Sequence, residues 1–562
     1  MRKLIKDIVH GYISFDERLT NIINSPEFQR LKNIRQTSYN SLYPSSLHDR
    51  FTHSIGVYEL GRYAFEHFKE NVSIDYKDKN VANDFWDNTK EIFLLACLLH
   101  DIGHSPFSHT GEYFYLRKHS DDDTVYIYDE LTKIVNSARF SRQFKESIKS
   151  NNVAKPHEIM SAIIGIKKWI NRHSADDKEL FARMIIGLQF NDVSKIEIGI
   201  YNALIYLLNS DVIDVDKLDY LLRDKMMTGF EGVNIDTERL LASICLVTKK
   251  TGLREKYHLG YYKNALSVIE NVVVAHDSEK KWIQTHAVVS YDSFLVQRCI
   301  KAIESCYSKE SSESIFCEEA LGYNGIKINS QHIRLLSDAD IIYLAKQIDS
   351  TNPQYEYIDE YFNRSIRKKA IWKSESEFDL MLRELGDDKR KFFVEWMEEL
   401  IEEFKNGSDS FEHAIVINQN IQEKLQEDYR LKKDDPEIPQ EEKDSAFEIL
   451  SSVEKKISLF KELADLNNIN FNFVITWHKR FVSNVDKFHN DDVLIKYKNF
   501  DQPKPIGSVI STYSLNKQSA IDSCSRLYYI YYNRNNTEEI SPKGFINQFI
   551  TLSQSNNDVD HN

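Results

Sequence analysis

Leu94-Leu95-Ala96-Cys97-Leu98-Leu99-His100-Asp101-Ile102-Gly103-His104-Ser105-Pro106-Phe107-Ser108-His109 is the most informative segment of this chain. An apolar helical run ends in adjacent His and Asp, then a glycine and two further histidines. Groups able to bind metal or move protons therefore crowd one helix end. A neutral imidazole and a carboxylate both ligate divalent ions such as Mn, Fe, Co, Ni, Mg or Zn. Two ligands do not make a site. Further candidates stand at His53, in Arg50-Phe51-Thr52-His53-Ser54, and at Asp216, in Asp214-Val215-Asp216-Lys217-Leu218-Asp219-Tyr220. A His-Asp dipeptide alone is commonplace; three such segments in this order, each on a helical pattern, favour metal binding over coincidence.

Working outward, 562 residues exceed one simple core and predict one lobed domain or two to three domains. A hydrophobic content of 41%, with 30 Tyr and 31 Phe, suffices for a packed protein. The net charge of -14 argues against broad nucleic-acid binding, which depends on Lys and Arg neutralising phosphates. The six cysteines show no Cys-x-x-Cys spacing, no secretory leader pattern opens the chain, and no apolar run is long enough for a bilayer. A cytoplasmic protein with reduced thiols and no membrane contact is expected.

Taken in order, the pattern predicts a strand or hairpin over Ile8–Ile13 and helices over Asp16–Ile23 and Pro26–Ile34, the second capped by Ser25. A loop over Leu42–Asp49 delivers Arg50 and His53 to a helix over Ser54–Glu70. Residues 71–90 read as an exposed excursion, followed by the central helix Asn88–Leu99. Ser120-Asp121-Asp122-Asp123 reads as a solvated turn. Helices are expected over His157–Ile170, Asp177–Leu188, Ile196–Leu208 and Asp211–Asp224, with a pair across Ala265–Cys306. Phe378–Phe404 is strongly helical, and Glu423–Lys443, charged and containing Pro436 and Pro439, reads as an exposed linker. Strand patterns come late, at Asn470–Trp477 and Asp492–Tyr497, which are expected to pair. Ser523–Tyr532 is rich in Tyr, and Ser553–Asn562 is expected to be disordered.

The order His53, His100-Asp101, Asp216 resembles the HD-domain phosphohydrolases. The flanking Lys6–Ile13, Ser25–Leu31, Arg50–Val57 and Asp214–Asp224 narrow the resemblance to the deoxynucleoside triphosphate triphosphohydrolases, bacterial dGTPases and the animal SAM-and-HD-domain enzymes among them. The match covers most of residues 1–380. It implies a mainly α fold: an HD-domain helical-bundle catalytic core over 1–380, a charged helical insert or linker over 381–450, and a smaller α+β C-terminal lobe over 451–562. The resemblance does not extend to a SAM domain, and none is expected.

By this resemblance His53, His100, Asp101 and Asp216 hold a divalent metal. Arg50 and Lys217 clamp the triphosphate, consistent with a fork donor and a point cation flanking metal ligands. His104, His109 and His157 match histidines near the scissile α-phosphate, with His157 as the acid towards the 5' oxygen, a task suited to the pKa of imidazole. Tyr220 packs under the sugar where a 2'-hydroxyl would clash, and Asp224 and Gln36 contact the 3'-hydroxyl. Gln29 and Lys32 match positions that bind a nucleotide effector between subunits, and a homo-tetramer or hexamer is implied. The match departs at Lys280–Ala287, where His286 fits but the family's tyrosine and following lysine are missing.

The expected activity is metal-dependent hydrolysis of dNTPs to deoxynucleoside and inorganic triphosphate, serving nucleotide-pool control or phage defence. Two other classes compete. An HD-type nuclease or cyclic-nucleotide phosphodiesterase uses the same metal on a diester, but a nuclease calls for a basic groove that this acidic chain does not suggest. A nucleotide-sensing regulatory subunit has no need of a complete set of ligands and histidines.

Overall fold

The computed structural model describes residues 3–79, 81–119, 122–251, 254–307, 314–328, 331–405, 411–436, 438–468, 474–479, 493–500, 502–508, 526–532 and a few positions between 541 and 551. Ser120 and Asp121, residues 470–473, 492 and 523–525, and the tail expected to be disordered lie outside them. The fold is mainly α, with small sheets.

Helices begin where a short polar side chain can take a free backbone N–H. Asp16 accepts from Leu19 N at 2.8 Å, Ser25 from Phe28 N at 3.4 Å with Pro26 in the first turn, and Asp49 from Thr52 N at 2.8 Å. Because the cap is Asp49, the helix runs Arg50–Asp75 and not Ser54–Glu70, and both Arg50 and His53 lie in its first turns. The excursion expected over residues 71–90 is instead mostly helix, since the central helix already starts at Asn83. Apolar anchors within that polar stretch explain the difference. Trp86 is buried against Phe65 and Phe68, and the Tyr76 hydroxyl lies 2.8 Å from Thr248 Oγ1.

The N-terminal hairpin pairs Lys3–Asp7 with Gly11–Phe15, Lys6 opposite Tyr12. Its turn is closed by Asp7 Oδ1, which accepts from Val9 N and His10 N, each at 2.9 Å. The helix expected over Asp211–Asp224 starts at Val215, because Asp214 is its cap and accepts from Lys217 N at 2.6 Å. A long hairpin of Ile244–Thr251 and Arg254–Tyr262 was not foreseen.

The chain divides into two compact units: residues 1–284, 292–359 and 481–518, and residues 285–291, 360–480 and 519–562. In the first, Leu494–Lys496 lies parallel to Gly260–Tyr262. In the second, Val474–Lys479 pairs antiparallel with Arg526–Tyr532, so the pairing expected between residues 474–477 and 492–497 does not form. Phe411–Asp434 and Gln440–Asn468 are two long helices joined near Pro436 and Pro439, which corrects the linker expected over Glu423–Lys443. Phe378–Phe404 is broken at Gly386, whose φ of +75° ends Glu375–Glu384 before Asp387–Lys405 begins. Among the described residues no helix is long and apolar enough to cross a membrane.

Candidate metal centre

Three helix ends meet in the first unit: the start of Arg50–Asp75, the end of Asn83–Leu99 and the start of Val215–Thr228. They bring together His53, His100, Asp101 and Asp216. His53 Nε2 lies 2.9 Å from Asp216 Oδ1 and 3.5 Å from Asp101 Oδ2; His100 Nε2 lies 3.5 Å from Asp101 Oδ1 and 3.6 Å from Asp216 Oδ1.

The tautomers follow from the opposite ring edges. His100 Nδ1 is 2.9 Å from the Cys97 carbonyl and His53 Nδ1 is 2.7 Å from Asp219 Oδ2. Both partners can only accept, so both Nδ1 atoms carry protons and both Nε2 lone pairs point inward. Those nitrogens are 3.3 Å apart. Two facing lone pairs repel unless a proton or a cation sits with them. Burial alone would make His53 harder to protonate, but its bonds to Asp216 and Asp219 outweigh that and raise its pKa to about 9. The two inward imidazoles and Asp101 are a donor set that fits a divalent ion, and Asp216 lies beside both rings. Burial pushes Asp101 and Asp216 up, yet Arg50 with His100 and His53 hold Asp101, and His100 and His53 hold Asp216, well below the usual carboxylate range.

Arg50 is buried and fully engaged: Nη1 donates to Asp101 Oδ2 at 2.7 Å, Nε to Ser108 Oγ at 3.0 Å, and Nη2 to the Gln36 carbonyl at 3.1 Å. Lys217 donates from Nζ to Asp214 Oδ2 at 2.7 Å and to the Ser210 carbonyl. Both cations named in the sequence therefore stand beside the ligands, each tied to a neighbouring acid.

His104, His109 and His157 form a second cluster. His104 and His157 stack with ring centroids 3.9 Å apart, and His109 meets both edge-on at 5.1 and 5.2 Å. Sequence reading missed Glu112, which the three share: Oε1 is 2.5 Å from His109 Nδ1, 2.9 Å from His157 Nδ1 and 3.7 Å from His104 Nδ1. Burial pushes the Glu112 carboxyl up, but His157 and His109 hold it well below its ordinary range. Its only sequence signal is an acid three residues after His109, which is weak.

The residues expected to meet a sugar gather through His48, also missed. His48 Nε2 lies 2.6 Å from Oδ1 of buried Asp224, and the His48 carbonyl accepts from Gln36 N at 3.1 Å. Gln36 is buried and its Oε1 has no hydrogen-bond partner. Tyr220 stands half-buried one turn before Asp224. Glu279, a third missed residue, accepts from Gln284 Nε2 at 2.9 Å and Tyr39 Oη at 3.5 Å. Burial and its proximity to Asp224 raise the Glu279 pKa well above normal, and burial raises Asp224 too.

The remaining expectations land elsewhere. Gln29 spends its amide on the Ile23 carbonyl at 2.7 Å, while exposed Lys32 lies over the Phe51 ring at 4.6 Å. His286 belongs to the second unit, where its Nδ1 accepts from Val288 N at 3.2 Å.

Residues 50–221 match the family model described as HD domain. The chain is 30% identical over 274 residues to an uncharacterized protein, MG461 homolog, of Mycoplasma pneumoniae, covering 48% of this chain and 53% of that protein. It is 27% identical over 275 residues to the deoxynucleoside triphosphate triphosphohydrolase SAMHD1 homolog of Dictyostelium discoideum, covering 46% and 44%. It is 30% identical over 264 residues to deoxynucleoside triphosphate triphosphohydrolase SAMHD1 of Xenopus laevis, covering 44% and 38%. The chain thus spans about half the length, or less, of these curated relatives. A crystal structure of a hypothetical protein from Aquifex aeolicus shares the fold, with a TM-score of 0.51, 19% identity, and coverage of 99% of this chain and 100% of that one. Ligand geometry and family match agree: residues 50–221 match the HD-domain model, and His53, His100, Asp101 and Asp216, which this stretch contains, converge at one point.

Proposed function

We propose that this chain hydrolyses deoxynucleoside triphosphates to deoxynucleoside and inorganic triphosphate. The observation that carries the reading is the adjacency of three groups of residues in one unit: the four-ligand cluster, the three histidines with Glu112, and the Gln36–His48–Asp224 constellation. A phosphate group, its leaving oxygen and a sugar hydroxyl each find a suitable partner there.

His53, His100, Asp101 and Asp216 would hold a divalent ion, which would supply Lewis-acid charge at the phosphate and lower the pKa of a bound water. The chain does the rest. Arg50, held against Asp101, and Lys217, held by Asp214, set positive charge beside the ligands without having to reorganise. His157 hands a proton to the departing 5' oxygen, with Glu112 at its Nδ1 edge. Asp224 and Gln36 take the 3'-hydroxyl, and Gln36 Oε1, buried without a partner, gains one when a hydroxyl donates to it. The Tyr220 ring excludes a 2'-hydroxyl.

The SAMHD1 relatives support the substrate class, and oligomeric assembly with a nucleotide effector near Gln29 and Lys32 belongs to the same reading. Product analysis tests it: purified protein with Mn or Mg, each dNTP alone and then all four together. Deoxynucleoside plus triphosphate is the expected outcome, and turnover only in the mixture would add effector control. If no dNTP is consumed while a cyclic nucleotide or oligonucleotide is, the diester reading replaces it.

A further inference from the structure

We propose that His104, His109, Glu112 and His157 form a second divalent-metal site, distinct from the His53–His100–Asp101–Asp216 cluster and favouring a borderline ion such as zinc or cobalt. One ligand atom from each of the four lies within 4.8 Å of the others. The Nδ1 edges of all three imidazoles turn towards Glu112 Oε1, at 2.5, 2.9 and 3.7 Å. Tetrahedral zinc with bonds of about 2.0–2.1 Å needs donors roughly 3.3 Å apart, so small side-chain adjustments suffice.

Hydrogen bonding among the four residues does not account for the arrangement. His104 is fully buried with neither ring nitrogen hydrogen-bonded, and buried His157 Nδ1, though 2.9 Å from Glu112, has no aligned partner. Leaving such atoms unsatisfied is costly, and an ion on the Nδ1 edges would satisfy Nδ1 of both His104 and His157. Three imidazoles and one carboxylate are also a complete set of protein ligands for zinc. His109 is 57% exposed, which gives an ion a way in.

Occupancy has a consequence for the neighbouring centre. His104 Nε2 and His157 Nε2 lie 3.4 and 3.9 Å from Asp101 Oδ1. With Nδ1 bound to an ion, each neutral ring must carry its proton on Nε2, turned to the side where Asp101 stands. The second ion would thereby fix the tautomers that the first centre meets. The inference rests on the geometry of the cluster: an ion on Nδ1 keeps His157 neutral, so an occupied second site would withdraw the acid of the proposed hydrolysis, and the site is therefore read by metal binding without nucleotide.

The test is metal titration of the full chain after chelation, using cobalt alone without nucleotide, read by bound metal per chain and by the visible absorption of tetrahedral cobalt. Two equivalents are expected in the unaltered protein. His109→Ala, at an exposed position, and Glu112→Gln should each weaken one equivalent at least tenfold and remove the tetrahedral spectrum. Asp216→Ala should spare that spectrum. A single equivalent that His109→Ala and Glu112→Gln leave unchanged would overturn the proposal.

Discussion

His53 presents Nδ1 to Asp219 at 2.7 Å and, on the opposite edge, Nε2 to Asp216 at 2.9 Å. One carboxylate orients the ring so that the other can share an ion with it. Asp219 is therefore predicted to control metal affinity without touching metal. Asp219→Asn should weaken metal binding about 10–100-fold, the usual cost of losing such a partner, measured by competition with a chelating dye. Unchanged affinity would mean that packing alone holds His53.

Gly103 is predicted to be irreplaceable on steric grounds. A Cβ there would lie 2.4 Å from Ser161 N and 2.6 Å from Met160 C, backbone atoms that cannot swing aside. Gly103→Ala should cost about 3 kcal/mol or more, seen as a fall in calorimetric Tm. Gly229→Ala provides the contrast. Its Cβ meets nothing within 4 Å, so only the φ of +69° penalises it, by about 1 kcal/mol.

Arg30 should behave as a structural clamp on the metal-binding turn. Buried at the end of the helix Pro26–Arg30, it donates to the carbonyls of Leu336, Ile102 and His104, all at 2.9 Å. Arg30→Met would orphan three carbonyls at about 1–3 kcal/mol each, so urea unfolding should show a loss of at least about 3 kcal/mol. A loss below about 1 kcal/mol would show that water replaces the guanidinium.

A pH dependence in KM follows from Asp224. Burial raises its pKa above the usual range, so the carboxyl is protonated at mildly acidic pH and ionises as pH rises. The ionised form accepts the sugar hydroxyl more strongly. KM for a dNTP should therefore fall as pH rises through the raised pKa, and this slope should vanish in Asp224→Asn while the kcat profile keeps its shape. A KM that is flat with pH in the unaltered enzyme would remove Asp224 from the sugar contact.

How much of this was legible depends on the distance over which each feature acts. His100 and Asp101 are neighbours at one helix end, and Asp216, Tyr220 and Asp224 follow the turn of one helix, so local spacing reveals them. His10 meets Asp219, and Asp7 meets Arg223, only in three dimensions, each pair more than two hundred positions apart in the sequence; no periodicity announces them. Glu112 lies in an irregular turn with no pattern of its own. The charged Glu423–Lys443 segment was misread because charge was taken for exposure of a linker, whereas long solvated helices need few apolar positions, and the prolines mark only the turn between them. The partner of Val474–Lys479 lies some fifty residues on, and alternation within one strand cannot name its neighbour.

The N-terminal hairpin has one more consequence. His10 donates to Asp219 Oδ1 at 2.6 Å and Asp7 accepts from Arg223 at 2.9 Å, while the other oxygen of Asp219 holds His53. The hairpin turn and an ion bound at His53 thus bias the same carboxylate, which makes their equilibria thermodynamically reciprocal. Whatever factor by which loading the centre slows hydrogen exchange at Val9 and His10, holding the hairpin in place must tighten the centre by the same factor. A surface hairpin of this kind is a lever on the chemistry some residues away, operated through one shared side chain.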